Sequence, residues 1–304
     1  MTVPGATATG RRSDHGGIVL LLIAVSMFVS MDTVVKYLAG LGYPVLQIVW
    51  ARFVFHLLFA LPILLIFYPG RWKTQRPALQ LGRSLLLFVT TMTFFFALKL
   101  ISLAAATTIM FAAPLFLIVM SVFVLREKVG LRRWLGVAAG FAGIVVIIRP
   151  GPTMDIAYLV PLAAAFIYAI YQLLTRMMSG GDAAVTTFFY TPIAGAIVAT
   201  GILPFVWQAP ADIGIWALMA LAGILGGGGH FLLIKAFERS EASLLAPFAY
   251  SSILWATLLG WAVFERLPDE WTFIGAAIII ASGLYIWHRE RVLAQRELPP
   301  VTPR

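Results

Sequence analysis

Ten stretches of 18 to 25 largely apolar residues run along the chain. They are 17–38, 44–67, 80–99, 102–125, 131–148, 156–177, 185–206, 213–237, 241–264 and 271–288. Each is apolar on every side, with no strict alternation of period two. Such a run reads as a helix buried all round or surrounded by lipid. Their lengths match the roughly 20 residues that cross a bilayer at about 1.5 Å per residue. The breaks between them are turn and charge clusters: Gly40 to Pro44, Pro69 to Lys73, Arg149 to Pro152, Ser179 to Asp182 and Ala209 to Asp212. The least marked break is Arg239-Ser240-Glu241, where a nine-span reading would merge or drop a helix.

Composition agrees. Of the 304 residues, 61% are hydrophobic and 12% are charged. A soluble domain has about 45–50% and about 25%. Ten spans leave only short links and two tails, 1–16 and 291–304, with no room for a soluble catalytic domain. There is no cysteine, which excludes thiol catalysis, disulfides and cysteine-ligated metals. No His/Asp/Glu set has metal-ligand spacing, so neither metal nor cofactor is expected.

A net charge of +9 would point to nucleic acid in a soluble protein. Here the distribution of that charge fits a membrane topology better. With both termini in the cytoplasm, 17 Lys and Arg fall at inner ends, among them Arg71, Lys73, Arg76, Arg83, Arg126, Arg132, Arg133, Arg176, Lys235 and Arg239. Four, Lys36, Lys99, Arg149 and Arg266, fall at outer ends, and Arg52 lies within span two. That imbalance supports ten spans with cytoplasmic termini; the expected location is a bacterial inner membrane. Trp72, Trp134, Trp207, Trp216, Trp271 and Trp287 stand near span ends, as interfacial tryptophans do.

The halves repeat. At an offset of 138, Ser102 meets Ser240 and Glu127 meets Glu265; at 140, Lys36 meets Arg176 and Gly40 meets Gly180. Five spans is an odd number, so the copies enter the membrane in opposite directions. Inverted repeats of this kind build many secondary transporters, with the substrate near the midplane between the halves.

The stretch from Ser102 to Pro150, with Ala113-Pro114-Leu115-Phe116, Leu125-Arg126-Glu127-Lys128, Trp134-Leu135-Gly136 and Gly143, resembles the EamA-type repeat of the drug/metabolite transporter superfamily. Ala236 to Arg289 resembles a second copy, with Phe264-Glu265-Arg266-Leu267 as its Glu motif, although Ser252 stands where the first copy has Pro114. The resemblance implies an all-α membrane fold of ten helices, repeats at 17–150 and 151–290, and a cavity lined by spans one, three, four, six, eight and nine. Within the superfamily the chain looks most like the YddG-like bacterial exporters of aromatic and neutral amino acids. The expected activity is therefore export of such a small-molecule substrate by alternating access, as a monomer or homodimer, with other metabolites or drugs as the alternative. A membrane enzyme or a channel is disfavoured. No constellation of base and nucleophile assembles, and an internal inverted repeat is not the oligomeric ring of a filter.

Ionisable groups inside spans carry a cost of about 2.5–3.5 kcal/mol on insertion scales, so each asks for a reason. Asp32 and Arg52 lie at similar depth in spans one and two, where they form either a gate or a scaffold ion pair, the second being preferred. His56 is expected as a hydrogen-bonded packing residue. His230 follows Gly226 to Gly229, glycines that permit close helix packing or line a cavity with backbone. Lys235 snorkels toward an interface. Pro114 and Pro247 interrupt spans four and nine, and Glu127 and Glu265 tie span ends to the following links. Thr90, Thr91, Phe94, Phe95, Thr107, Phe111, Tyr168, Tyr171, Gln172, Tyr250, Ser251 and Trp255 supply the hydroxyls and rings that a zwitterion with an aromatic side chain requires, so with His230 they are the candidate substrate-binding set.

Overall fold

The computed structural model describes residues 15–127, 129–152, 154–178 and 181–296. The expectations for Arg11, Arg12, Lys128, Gly180 and the two tail ends lie outside those residues. Among the described residues the fold is all α, and ten helices are long and apolar enough to cross a membrane. Span one is α1 (His15–Gly40), span two α2 (Val45–Phe67) and span three α3 (Pro77–Leu100). Span four is split into α4 (Leu103–Met110) and α5 (Ala112–Val124), and span five is α6 (Leu131–Ile148). Span six is α7 (Leu159–Met177), entered through a 3-10 turn. Span seven is split into α8 (Ala184–Tyr190) and α9 (Ile193–Ile202). Span eight is α10 (Ile213–Arg239), span nine is split into α11 (Ala242–Ala249) and α12 (Ser251–Phe264), and span ten is α13 (Glu270–Arg296). The weak break at Arg239 to Glu241 is real, and the last helix runs past the expected residue 288.

Loop contacts join ends that ten alternating spans place on one side. Gln47 and Gln208 exchange hydrogen bonds with amide and carbonyl groups at 2.7 and 2.9 Å. Arg149 pairs with Asp269 at 2.6 Å. At the other, basic end Arg176 pairs with Glu127 at 2.7 Å, and Asp182 accepts from Thr74, from the Gln75 amide and from Gln80. Burial would raise the Asp182 carboxyl; those three donors outweigh it and hold the group below its ordinary value.

Backbone features fix the register between the copies. Helix caps fall at Ser102 and Glu241, breaks at Phe111 and Tyr250, and left-handed residues at Arg126 and Glu265. The same helix-ending bond joins the Glu127 amide to the Ser121 carbonyl and the Arg266 amide to the Gly260 carbonyl, each at 3.3 Å. The offset is thus 139, one more than the Glu residues alone imply. Structurally Glu265 corresponds to Arg126, not Glu127. Glu127 reaches across to α7, where the expectation tied it to its own link.

The breaks have different causes. Pro114 cannot donate to the Met110 carbonyl, and α4 stops there. Pro247 lies inside α11, and the break follows three residues later at Tyr250. The break at Thr191 and Pro192 in span seven was not anticipated. The Gly stripes of α6 and α13 are used within the chain: a Cβ on Gly143 would come 2.9 Å from the Gly275 carbonyl oxygen, and one on Gly136 2.6 Å from Ile286.

Candidate functional site

α10 lies against both α1 and α2, and its four glycines are what bring it close. A Cβ on Gly223 would collide with Phe55 and come 2.9 Å from the His56 amide nitrogen. One on Gly227 would come 2.9 Å from the His56 ring, and one on Gly229 2.8 Å from Phe28. Of the two readings of Gly226 to Gly229, close packing is what the structure has.

That approach gathers a polar cluster at mid-span. His56 and His230 stack with centroids 5.6 Å apart, and His230 also meets the Phe28 ring at 5.0 Å. His56 is fully buried and neither ring nitrogen has a partner, contrary to the expected hydrogen-bonded packing residue. Gly226 separates Met31 and Arg52: a Cβ there would be 2.9 Å from the Met31 sulfur and 3.6 Å from Arg52 Nε. Arg52 therefore lies beside the α1 turn that carries Asp32.

The expected scaffold ion pair between Asp32 and Arg52 does not form. Arg52 is 3% exposed and Asp32 is 8% exposed. Arg52 Nε and Nη1 and one Asp32 carboxylate oxygen lack partners, although the two charges are near enough to interact. Arg52 is also within electrostatic reach of Tyr168 and Tyr171, whose rings stack at 5.4 Å.

Arg83 is the residue that sequence reasoning missed. It was counted as an inner-end charge, yet it is 1% exposed. Its guanidinium donates to the Tyr171 hydroxyl at 2.6 Å, the Thr187 carbonyl at 2.7 Å and the Thr191 hydroxyl at 2.8 Å. Ser84, one residue on, donates to the Thr191 carbonyl at 2.8 Å and accepts from the Ala194 amide at 3.0 Å. These bonds satisfy the backbone groups freed where span seven breaks. The helix begins at Pro77, three residues before the expected start, so Arg83 lies seven residues in, deeper than the sequence reading placed it.

The remaining expected residues divide. Phe111 and Tyr250, at the matching breaks of spans four and nine, stack with centroids 4.7 Å apart. Thr90 and Thr107 are buried with unpartnered hydroxyls, as is the hydroxyl oxygen of Ser251. Thr91 is buried, Phe94 and Gln172 are half-buried, and Phe95 belongs to the apolar core. Trp255 is 38% exposed on the α12 face that also carries Leu258, so it points away from the packed interior.

A cavity of about 230 Å³ opens at the basic end. Arg71, Lys235 and Glu238 stand among its lining, with Phe188 and Phe231. Those two rings meet at 5.8 Å, and Phe188 lies 5.3 Å from His56, so a single ring separates this vestibule from the polar cluster. Lys235 pairs with Glu238 at 2.8 Å over the Tyr68 and Phe231 rings, which is the snorkelling expected of it. At the opposite end Lys36 donates to the Leu98 and Ile101 carbonyls at 2.5 and 2.7 Å, fastening α1 to the end of α3.

Residues 15–149 and 155–287 each match the EamA-like transporter family. The chain belongs to that family. Its EamA relatives include an S-adenosylmethionine uptake transporter of Rickettsia prowazekii, 29% identical over 90% of this chain and 93% of that one. A riboflavin transporter of Vibrio cholerae is 33% identical over 62% of this chain and 64% of its own length. One of Rhizobium johnstonii is 26% identical over 90% and 91%. A solved crystal structure shares the fold with a TM-score of 0.63 at 19% identity, covering 93% of this chain and 99% of that one. The family is thus the expected one, while these relatives are named for S-adenosylmethionine and riboflavin. The amino-acid-exporter resemblance is not supported, and the alternative of another metabolite fits better.

Proposed function

We propose that this EamA transporter is an alternating-access carrier of the bacterial inner membrane for a small metabolite bearing a planar ring. The site is the Arg52, Asp32, His56 and His230 cluster between the two repeats, 17–150 and 151–290. The basic end and both termini face the cytoplasm. The observation that carries the reading is an acidic and a basic side chain, both buried and each with atoms left without partners, beside two ring stacks. An uncompensated charge at mid-span is costly, and a bound solute of matching polarity offsets that cost. The vestibule supports an approach from the basic end, with Phe188 and Phe231 as the barrier.

The substrates of the relatives, S-adenosylmethionine and riboflavin, are both ringed metabolites and are the first candidates. Uptake of each, radiolabelled, into proteoliposomes holding the purified protein tests this. Saturable flux of one, competed by its unlabelled form, is expected. Flux no greater than in empty liposomes for both would remove these substrates.

A further inference from the structure

We infer that the substrate carries an α-amino carboxylate head, with Arg52 receiving the carboxylate and Asp32 the ammonium. This rests on the carrier reading and narrows it to zwitterions. Both side chains are more than nine-tenths buried, and each keeps unpartnered atoms. The guanidinium of Arg52 offers a planar fork of donors, the shape that grips a carboxylate through two parallel bonds. The carboxylate of Asp32 accepts from an ammonium.

Their arrangement matters as much as their chemistry. The Gly226 contact sets Arg52 against the α1 turn of Asp32, yet the two charges do not close into an ion pair. A simple anion would satisfy Arg52 and leave Asp32 exposed to the same desolvation. A simple cation would do the reverse, and a neutral flavin would offer hydrogen bonds but no countercharge to either. A molecule with a carboxylate and an ammonium on one carbon satisfies both at once. The stacks His56/His230 and Tyr168/Tyr171, both within electrostatic reach of Arg52, give flat faces for the rest of the molecule. Of the two chemistries named among the relatives, this selects the one that has an amino-acid end.

The test is ligand-induced thermal stabilisation of the purified full chain, which does not depend on transport. Two sets of probes compare molecules with and without the head, the first pair differing also by one methylene. S-adenosylhomocysteine is set against 5′-methylthioadenosine, and methionine against 3-methylthiopropylamine and 4-methylthiobutanoate. Each zwitterion is expected to act at concentrations at least tenfold lower than its truncated partners. Arg52→Gln removes the advantage conferred by the carboxylate, and Asp32→Asn removes that conferred by the ammonium. Arg52→Lys, which keeps the charge without the fork, loses part of it and serves if the glutamine variant does not fold. Equal action of 5′-methylthioadenosine and S-adenosylhomocysteine overturns the inference, as does an equal loss for all probes in Arg52→Gln, or no response to any zwitterion. Stabilisation by riboflavin alone overturns it while leaving the carrier reading intact. Binding of zwitterions without flux of any solute does the opposite.

Discussion

Among the described residues two arginines lie buried, and they differ in what their hydrogen bonds are used for. Arg83 spends three on Tyr171, Thr187 and Thr191, and so holds the broken span seven against α3. Arg52 makes no hydrogen bond through Nε or Nη1, and its guanidinium lies 4.5 Å from the Phe53 ring. Position 191, where span seven breaks, is the structural counterpart of position 52 at the offset of 139. In the second copy that level of the membrane is a backbone interruption tied down by a neighbour. In the first it is a continuous helix with a free cation. Burial and charge alone do not distinguish a scaffold from a site; the accounting of partners does.

Removing Arg83 should separate the two most. Arg83→Ala leaves the Tyr171 and Thr191 hydroxyls without a donor and takes one of three donors from the Thr187 carbonyl, at a cost of about 3 kcal/mol. A fall in Tm of roughly 6–12 °C follows at this chain size, read by thermal melts on size-exclusion chromatography. Arg52→Gln should do the reverse. Transport falls about 10²-fold, the scale for losing one partner of a buried charge contact, while Tm holds or rises because the charge had no partner to lose. A Tm loss as large as that of Arg83→Ala would place Arg52 in the scaffold.

Gly223→Ala tests the approach that positions Arg52. The new methyl meets Phe55 and the His56 amide, and overpacking of this kind costs about 1–3 kcal/mol. Both Tm and ligand stabilisation should fall. Gly40→Ala, in open space, is the control and should change neither.

Lys36→Gln releases the two carbonyls through which α1 is fastened to α3 at the end opposite the vestibule, and so tests whether that contact shuts the end. The chain has no native cysteine, so a single Cys introduced near Leu98 reports access cleanly. Its labelling rate should rise several-fold, and an unchanged rate would mean that Lys36 holds nothing shut.

The smallest effect is at the surface. The Asp182 carboxyl titrates below its ordinary value of 3.8, so its contribution is present above that pH and fades as pH falls through the lowered value. Asp182→Asn should lower Tm slightly at pH 7, and the gap should narrow near pH 3.

Much of the architecture was legible. Run length gave the ten spans, and the Gln47–Gln208 and Arg149–Asp269 contacts agree with their alternation, whichever side the termini face. The site was legible in part. Asp32, Arg52 and His230 stood out because charge inside an apolar run is costly. Arg83 did not, because it lies near enough to an inner end to be mistaken for a topological charge. Trp255 was misplaced because an aromatic on an apolar helix carries no mark of which face it occupies. The Glu127–Glu265 match was one residue out, since similar side chains align by type while the helix ends that set the register align by backbone.

By itself, then, the sequence determined that this chain crosses a membrane ten times in two copies, because the bilayer responds to the length and hydropathy of each segment independently. Only the tertiary structure decided which buried charge is bonded and which is free. Partnership depends on helices far apart in the chain, brought together here by glycines on α10 and by a break in span seven that one arginine holds in place.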